Sequence, residues 1–403
     1  MPSRVLLLFI FTICTLTAVE KPVGIFSSAG STDPEIYEHE SLRGVLIRAP
    51  WFRIETAPDV FDFDMIDIQV AAVEAEGLPW SLAVVAGGVG APDWLMDDGS
   101  FQAEFVNFSF RGDPNYRLPL LWDSVVQDRL ENLATVLGNR YTSNTKLALV
   151  YIPQMTSNGV EGHLQGVNMS TFRTAGYTEQ VWVDNSLSIS KAFANAFPDK
   201  PLAFEVHEID NDADVPNDII NALWNDPDLD KRVGAAMWWV SGDRAYQSDL
   251  LAYLAHFPGD IYGQIIGSSD QTSRFTSDGY AEAFVQAREL NIRYLEPWEY
   301  ELKTGNDGAD GANDALLQDF NRWADETFIL PELKPQIARV NNTPSILWHA
   351  RSGRTYTLEH SKDLKTWEII ATQSPSQSGP IEFTDDENAS AREAFYRVGL
   401  ETD

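Results

Sequence analysis

Amide, carboxylate and imidazole side chains follow a short apolar run in the middle of the chain. The run Leu147 to Ile152 predicts a buried parallel strand, and the loop after it holds Asn158, Glu161 and His163. A barrel builds its active site from groups delivered to the carboxyl ends of its strands. We therefore expect Glu161 to act as an acid or base, although a loop glutamate that only faces solvent would give the same pattern.

Similar groups follow the other apolar runs that we predict to be strands. Two carboxylates on opposite walls, with tryptophan faces between them, suit glycosidic bond cleavage, because one acid protonates the leaving oxygen while the other attacks or activates water. Glu296 is the partner that we expect for Glu161. The residues expected to bind substrate are Arg48, Trp51, Trp94, Asn158, His163, Glu205, His207, Glu208, Trp239, Trp298 and Glu299.

Several of these residues have a plainer interpretation. Glu296 lies in an acidic aromatic run whose carboxylates could simply face solvent, and Glu205 could be buried against an arginine. Trp238 and Trp239 point to opposite faces of a strand, so only one of them can face a barrel interior. Trp51 and Trp94 could equally be core residues.

The sequence gives little support to other chemistries. His163 has no second histidine at ligand spacing, so we predict no metal and no cofactor. No glycine-rich phosphate loop follows an early strand, and no serine lies in a nucleophile-elbow context. A carbohydrate is therefore the expected partner.

Eight apolar runs alternate with helical patterns before residue 330. The predicted strands are 22–26, 45–54, 79–86, 147–152, 202–209, 234–240, 261–266 and 292–298. The predicted helices are 64–75, 124–137, 179–196, 217–224, 248–256, 279–290 and 312–327. This alternation is typical of an α/β fold, a (β/α)8 TIM barrel, with a doubly wound open sheet as the alternative. The first helix is missing or very short.

The ends of the chain differ from its middle. Residues 1–19 have the pattern of a signal peptide, with Arg4 before an apolar stretch and small residues before the cleavage region. Residues 20–330 would form the barrel and 331–335 a linker. Residues 336–403 alternate with period two and predict a small all-β sandwich domain.

Composition limits the function classes further. The chain has 403 residues, 44% of them apolar, and a formal charge of −31 from 29 basic and 60 acidic residues. This charge argues against a nucleic-acid partner. The only cysteine, Cys14, lies inside the signal segment, so the mature chain would have no disulfide. We expect a secreted or periplasmic protein with no membrane association after signal cleavage.

Three segments resemble a known family. Gly44 to Glu55 reads GVLIRAPWFRIE, Asp59 begins DVFDFDMID, and Pro92 begins PDWL. Together they resemble the β-galactosidase-like branch of the retaining (β/α)8-barrel glycosidases, including its uncharacterised bacterial members. By position in the fourth strand, the resemblance implies that Glu161 is the acid/base.

The chain departs from the family pattern at two points. Asn158 and Glu161 are separated by Gly-Val in this chain, whereas the family has an adjacent asparagine–glutamate pair. The seventh strand, where the family has its nucleophile, carries Gln264. Either Glu296 on the next strand serves, or the strand count is shifted by one, or the barrel no longer hydrolyses. A glycan-binding barrel without catalysis is the alternative to a glycoside hydrolase.

The C-terminal segment resembles a second family. The stretch that starts ILWHARSGRTYTLEHSKDLKTW at Ile346 and continues through Phe395-Tyr-Arg-Val resembles the β-sandwich appended to secreted proteins of Verrucomicrobia-type bacteria. The resemblance implies secretion and a bacterial source.

Overall fold

Eight parallel strands form a closed barrel in the computed structural model, which describes residues 19–28, 33–340, 343–389 and 394–401. In chain order, β1 to β8 are Gly24–Ile25, Val45–Pro50, Trp80–Val85, Leu147–Tyr151, Leu202–Glu205, Val233–Val240, Ile261–Ile265 and Ile292–Glu296. Each strand pairs with its sequence neighbour, and β1 pairs with β8. Ser27 closes the ring by bridging to Val45, and its N–H donates to the carbonyl of Gly44 (3.0 Å). The predicted barrel is confirmed.

Helices cover the outside of the barrel. The longer ones are Asp64–Ala75, Ser124–Tyr141, Glu179–Ala196, Asp214–Asn225, Ser248–Leu254, Ala281–Glu289 and Asp314–Ala324, and the last continues as a π-helix over Asp325–Ile329. Single helical turns lie in the loops at Pro34–Tyr37, Trp51–Ile54, Gly87–Gly90, Trp94–Asp97, Met169–Thr174, Pro227–Leu229, Thr272–Arg274, Glu299–Leu302, Gly305–Asp307 and Leu330–Glu332. The turn Pro34–Tyr37 lies where the first helix was predicted to be missing or very short.

The strand residues divide between two hydrophobic layers. One layer packs between strands and helices, and the other fills the barrel interior with Phe26, Leu46, Ala83, Leu149, Tyr151, Ala203, Ala236, Trp238, Tyr262 and Tyr294. Because side chains alternate along a strand, the interior face of each strand continues two residues further on to the mouth of the barrel. Arg48, Glu205 and Glu296 lie at these positions.

Three predicted strands were too long. Strand β2 ends at Pro50 and the chain turns into the helix Trp51–Ile54, whereas β5 ends at Glu205 and β8 at Glu296. Proline has no N–H for the next ladder bond, which explains the end of β2. In all three cases the residues beyond the strand belong to the loops that surround the mouth.

Two hairpins were not predicted. Glu55–Ala57 pairs with Val60–Phe61, and Phe105–Phe110 pairs with Asp113–Pro119. The second hairpin lies between the predicted strand 79–86 and the predicted helix 124–137, where no strand was predicted. Its turn residues Arg111 and Gly112 both have positive φ (51° and 85°), the conformation that two-residue hairpin turns require.

The C-terminal segment forms two three-stranded antiparallel sheets. One contains Gln336–Val340, Thr343–Ala350 and Gly379–Thr384, and the other contains Tyr356–Ser361, Glu368–Gln373 and Phe395–Leu400. Their shared core includes Ile346, Trp348, Tyr356 and Leu358. The predicted β domain is confirmed.

The predicted signal peptide lies almost entirely outside the described residues, since residues 1–18, with Cys14, are not among them. No helix in the described ranges combines the length and the apolar character that a membrane span requires.

Candidate active site

A guanidinium and a tryptophan ring lie at the centre of the barrel mouth. Arg48 extends from β2 with its guanidinium carbon 4.6 Å from the ring centroid of Trp238, which comes from β6. The Nε and Nη2 atoms of Arg48 are buried and have no hydrogen-bond partner. Burial lowers the pKa of Arg48, and the charges of Glu296 and Glu161 partly oppose that shift. Both predicted carboxylates therefore act on the same cation.

Glu296 ends β8 and is completely buried. Its Oε1 accepts hydrogen bonds from the hydroxyls of Tyr151 (2.9 Å) and Tyr294 (2.5 Å), and its Oε2 accepts one from the amide of Gln264 (2.6 Å). Burial raises the pKa of Glu296 to about 7, although these donors and the Arg48 charge act in the opposite direction. This carboxyl is close to half-protonated at neutral pH.

Glu161 lies in the loop after β4, with 27% of its side chain exposed. The Nδ1 of His163 accepts from the N–H of Gln165 (3.3 Å), so its Nε2 carries the proton and donates to Oε2 of Glu161 (3.1 Å). Burial tends to raise the pKa of Glu161, but the His163 hydrogen bond and the charges of His207 and Arg48 outweigh it. The pKa of Glu161 lies below its ordinary value, and the side chain is ionised.

Backbone contacts hold the β4 loop in place. The side chain of Asn158 accepts from the N–H groups of Val160 (3.2 Å) and Glu161 (2.9 Å), so it shapes the loop. Gly159 has a φ of 90° and lies so close to Ala86, at the end of the β3 segment, that a Cβ would overlap the carbonyl oxygen of that residue. The loop needs a glycine there for both reasons.

Glu205 has a different role from the predicted one. It is completely buried, its Oε2 accepts from the N–H of Gly162 (2.5 Å) and from Nδ1 of His207 (3.0 Å), and its Oε1 accepts from the N–H of Trp238 (3.0 Å). Gly162 lies in the loop after β4, His207 lies in the loop after β5, and Trp238 lies in β6. Glu205 therefore links these protein segments, a role that differs from the predicted contact with substrate.

The choice of tryptophan on β6 was wrong. Trp239 faces the helix layer, where its Nε1 donates to the carbonyl of Val206 (2.8 Å), and its ring packs 5.6 Å from His207. Trp238 is the one that faces the interior, with its ring edge-on to Tyr151 at 5.0 Å. An eight-residue strand that is buried on both faces gives no polarity signal from which to choose between them.

Trp51 and Trp94 also belong to the core and not to the binding surface. Trp51 is fully buried, and its Nε1 donates a hydrogen bond to Oε2 of Glu55 (2.9 Å). The Nε1 of Trp94 donates to the backbone carbonyl of Glu55 (3.1 Å). The same glutamate forms an ion pair with Arg129. This cluster fixes the loop after β2, so the prediction of two substrate platforms is corrected.

The remaining predicted residues lie around the mouth. Half-buried Trp298 donates to the carbonyl of Ile265 (2.8 Å), and the N–H of Glu208 donates to Gln247 (2.5 Å). Glu299 is half-buried, and its Oε1 has no hydrogen-bond partner. Burial raises the pKa of Glu299 to about 7. The charge of nearby Lys303 opposes this shift, and the charge of Asp33 adds to it.

Three functional candidates were missed by sequence reasoning. Tyr151 and Tyr294 hold Glu296, and Tyr294 lies two residues before it, so strand alternation could have found it. Tyr246 follows β6 with 46% of its surface exposed and is close enough to Glu161 and Glu205 for their charges to raise its pKa, which burial already raises. An exposed aromatic ring beside Glu161 suits stacking on a sugar.

Within the described part of the chain, no group of three or more His, Cys, Asp and Glu side chains is arranged to hold a metal ion. The described residues at the mouth supply carboxyl groups, imidazoles, a guanidinium and aromatic rings.

No protein-family model matches the sequence, and no curated protein matches it. Solved structures with a similar course of the chain include the catalytic domain of a β-amylase from Paenibacillus polymyxa, at 11% identity and a TM-score of 0.49, over 79% of this chain and all of that one. Another is the endo-glycoceramidase II from Rhodococcus sp., at 12% identity and a TM-score of 0.47, over 91% of this chain and 98% of that one.

A third solved structure with a similar course of the chain is the intracellular xylanase TsXylA from Thermoanaerobacterium saccharolyticum. It has 15% identity and a TM-score of 0.45, over 68% of this chain and 86% of that one. Similarity at this level carries no argument about activity or substrate. The strand pairing of this chain establishes the barrel, and the functional argument rests on the side chains at its mouth.

Proposed function

We propose that the protein is a secreted glycoside hydrolase that cleaves a polysaccharide or oligosaccharide with two carboxyl groups. The observation that carries this proposal is the arrangement of Glu161 and Glu296 around the single guanidinium of Arg48, beneath the ring of Trp238. One carboxyl is ionised and the other has a pKa near 7. Hydrolysis of a glycosidic bond needs such a pair.

The charge states favour a division of roles opposite to the one implied by family resemblance. A general acid must carry a proton at the working pH, and Glu296 does so far more readily than Glu161. Glu161, ionised and partly exposed, is suited to attack the anomeric carbon or to activate water. Arg48 stabilises the negative charge on both groups.

Glu299 is a second candidate for the acid. It shares the pKa near 7 and is electrostatically coupled to Arg48, but unlike Glu296 it is only half-buried and has one oxygen without a partner. Comparing Glu296→Gln with Glu299→Gln distinguishes the two. The variant that loses activity towards substrates with poor leaving groups, and keeps it towards activated aryl glycosides, identifies the acid.

The substrate is expected to be neutral at the site. Glu161, Glu205, Glu208, Glu296 and Glu299 surround one arginine and two histidines, so a sulfate or uronate would meet mostly acidic groups. Tyr246, with 46% of its surface exposed, supplies a ring for the apolar face of a sugar. This composition argues for neutral glycans.

The direct test is an assay of hydrolysis on a panel of neutral glycans, in which the release of reducing ends is measured. We expect Glu161→Gln to lower the rate by about 10²–10⁴-fold while glycan binding, measured by calorimetry, persists. Glu289→Gln is the matched control, since Glu289 pairs with Arg244 on the exposed surface, and its activity should equal that of the wild type.

A glycan-binding barrel is the second candidate function. The complete burial of Glu296, with each oxygen already accepting hydrogen bonds from the protein, favours it, because a substrate would have to displace part of that arrangement. Wild-type protein that binds glycans and never releases product would establish this function and exclude hydrolysis. Protein that neither binds nor cleaves any glycan would exclude both.

A further inference from the structure

Acidic and imidazole groups alternate along one side of the barrel mouth. Glu205 contacts His207 (3.0 Å), the His207 ring lies 5.3 Å from that of His163, and His163 donates to Glu161 (3.1 Å). Glu205 and His207 are almost completely buried, with 0% and 5% exposure, whereas Glu161 reaches solvent. The buried pair therefore lies behind the exposed carboxylate.

The surroundings of Glu205 determine its charge and orient its partner. Two backbone N–H groups, those of Gly162 and Trp238, donate to it together with Nδ1 of His207. Burial raises the pKa of Glu205, while the charge and hydrogen bond of His207 and the N–H of Trp238 oppose that shift. A carboxylate can accept all three of these bonds, whereas a protonated carboxyl group would lose acceptor capacity. With Nδ1 of His207 fixed as a donor to Glu205, the orientation of the ring is fixed as well.

The charge on His207 acts on Glu161. Burial alone lowers the pKa of His207, but the adjacent Glu205 and the charges of Glu161 and Glu208 outweigh burial and raise it. In return His207 is one of the cationic groups that lower the pKa of Glu161. The other groups facing Glu161 are His163 from its own loop, Arg48 from β2, Glu205 from β5 and Tyr246 from the loop after β6.

We infer that Glu205 and His207 form a positioning pair, in which Glu205 orients His207 and keeps it charged, and His207 keeps Glu161 ionised for its role as base or nucleophile. This inference rests on the proposed function for its effect on catalysis. Its electrostatic part concerns Glu161 alone and holds whether or not the barrel hydrolyses a glycan. The pair does not itself contact the reacting atoms.

The first test is a direct titration of Glu161 by ¹³C NMR of its side-chain carboxyl, with the signal assigned by its loss in Glu161→Gln. We expect the midpoint to move to higher pH in His207→Asn, because asparagine can still donate to Glu205 but carries no charge. His256→Asn is the control, since His256 is an exposed histidine just after the helix Ser248–Leu254, and the Glu161 midpoint in this variant should equal that of the wild type.

The second test is the pH profile of kcat/KM. In His207→Asn the acidic limb should move to higher pH by the same shift as the NMR midpoint, so that the variant loses more of its activity at pH 4 than at pH 7. Glu205→Gln should give a smaller shift in the same direction. Loss of the Glu205 charge destabilises the imidazolium, which raises the pKa of Glu161, but it also removes a repulsive charge near Glu161, which lowers that pKa.

The outcomes separate the two proposals. An unchanged Glu161 midpoint in a folded His207→Asn variant overturns the positioning pair, whatever the activity. A midpoint that moves in a protein that hydrolyses no glycan supports the pair and removes the proposed function. A moved midpoint with an unmoved acidic limb overturns the role of the pair in catalysis.

Discussion

At the scale of single residues, Glu296 shows how a barrel controls the charge of a buried carboxyl. Burial favours the protonated form, while Tyr151, Tyr294 and Gln264 all donate to the ionised form. Burial outweighs these donors, so the pKa rises to about 7. Glu161 has a different balance, because its neighbours include two imidazoles and solvent.

This balance predicts a pH-dependent stability. Between pH 4.5 and 7 the folded protein keeps a proton on Glu296 that the unfolded chain releases, so the free energy of unfolding should fall as pH rises through this window. The full effect of a pKa of about 7, against an ordinary value of 4.5, is roughly 3 kcal/mol. Above pH 7 the loss is complete.

The measurement is urea unfolding of the wild type and Glu296→Gln at pH 5 and pH 7.5. The wild type should lose more stability between the two pH values than the variant, which has no proton to release at this position. Glu289→Gln, with its exposed side chain, should show the same pH dependence as the wild type. Equal pH dependence of the wild type and Glu296→Gln would contradict the assignment.

At the scale of elements, the loop after β4 depends on two neighbours. Gly159 packs against the backbone at the end of β3, and its carbonyl accepts from the N–H groups of Ala86 (3.1 Å) and Gln154 (3.0 Å). On the other side, Phe110 of the hairpin Phe105–Phe110 lies 5.8 Å from the ring of His163. The position of Glu161 therefore depends on segments that are distant in sequence.

We predict that Gly159→Ala destabilises the protein by about 1–3 kcal/mol and lowers glycan binding or hydrolysis, because an alanine there is strained in φ and collides with Ala86. Thermal unfolding and the activity assay measure the two effects. Gly99→Ala is the control, since a Cβ at Gly99 meets no atom within 4 Å and its φ is not positive. A Gly159→Ala variant with wild-type stability would show that the loop can move without cost.

At the scale of the whole molecule, the C-terminal domain lies at the amino-terminal end of the barrel, opposite the candidate site. A cavity of 860 Å³ between the two domains is lined by the starts of β3 to β5 and by the loops that contain Arg354 and Ser376. Nε of Arg354 binds Asp325 (3.0 Å), which also pairs with Arg43 of the barrel, and Nη2 of Arg354 donates to the carbonyl of Val23 (3.1 Å). The C-terminal domain therefore binds the amino-terminal end of the barrel through Arg354.

We predict that Arg354→Met weakens the attachment of the C-terminal domain by about 2 kcal/mol, because two charge-assisted contacts are lost in a largely buried place. Calorimetry should show the two domains unfolding in more widely separated transitions, with unchanged activity at the distant mouth. Arg397→Met is the matched control. Arg397 pairs with Glu359 on the exposed surface of the same domain, where an ion pair contributes little.

Much of the architecture could be predicted from local patterns. The helices Asp64–Ala75 and Glu179–Ala196 have the predicted bounds, because their apolar spacing is regular and clear signals mark an end of each, Gly77 after the first and Thr178 before the second. The strand order follows from the alternation of strands and helices. The hairpin Phe105–Phe110 was missed because its turn is Arg-Gly and not one of the usual asparagine–glycine or aspartate–glycine pairs.

The sequence alone determined the barrel, the β domain and the strand ends from which the polar groups arise, because period and alternation are local properties of the chain. Only the tertiary structure decided which face of each strand meets the interior. It places Trp238, and not Trp239, in the barrel interior. It shows Glu205 as a buried link between protein segments, and it brings Tyr246 close to Glu161. The physical reason is that strands buried on both faces are apolar throughout, so their orientation is set by neighbouring strands and not by their own residues.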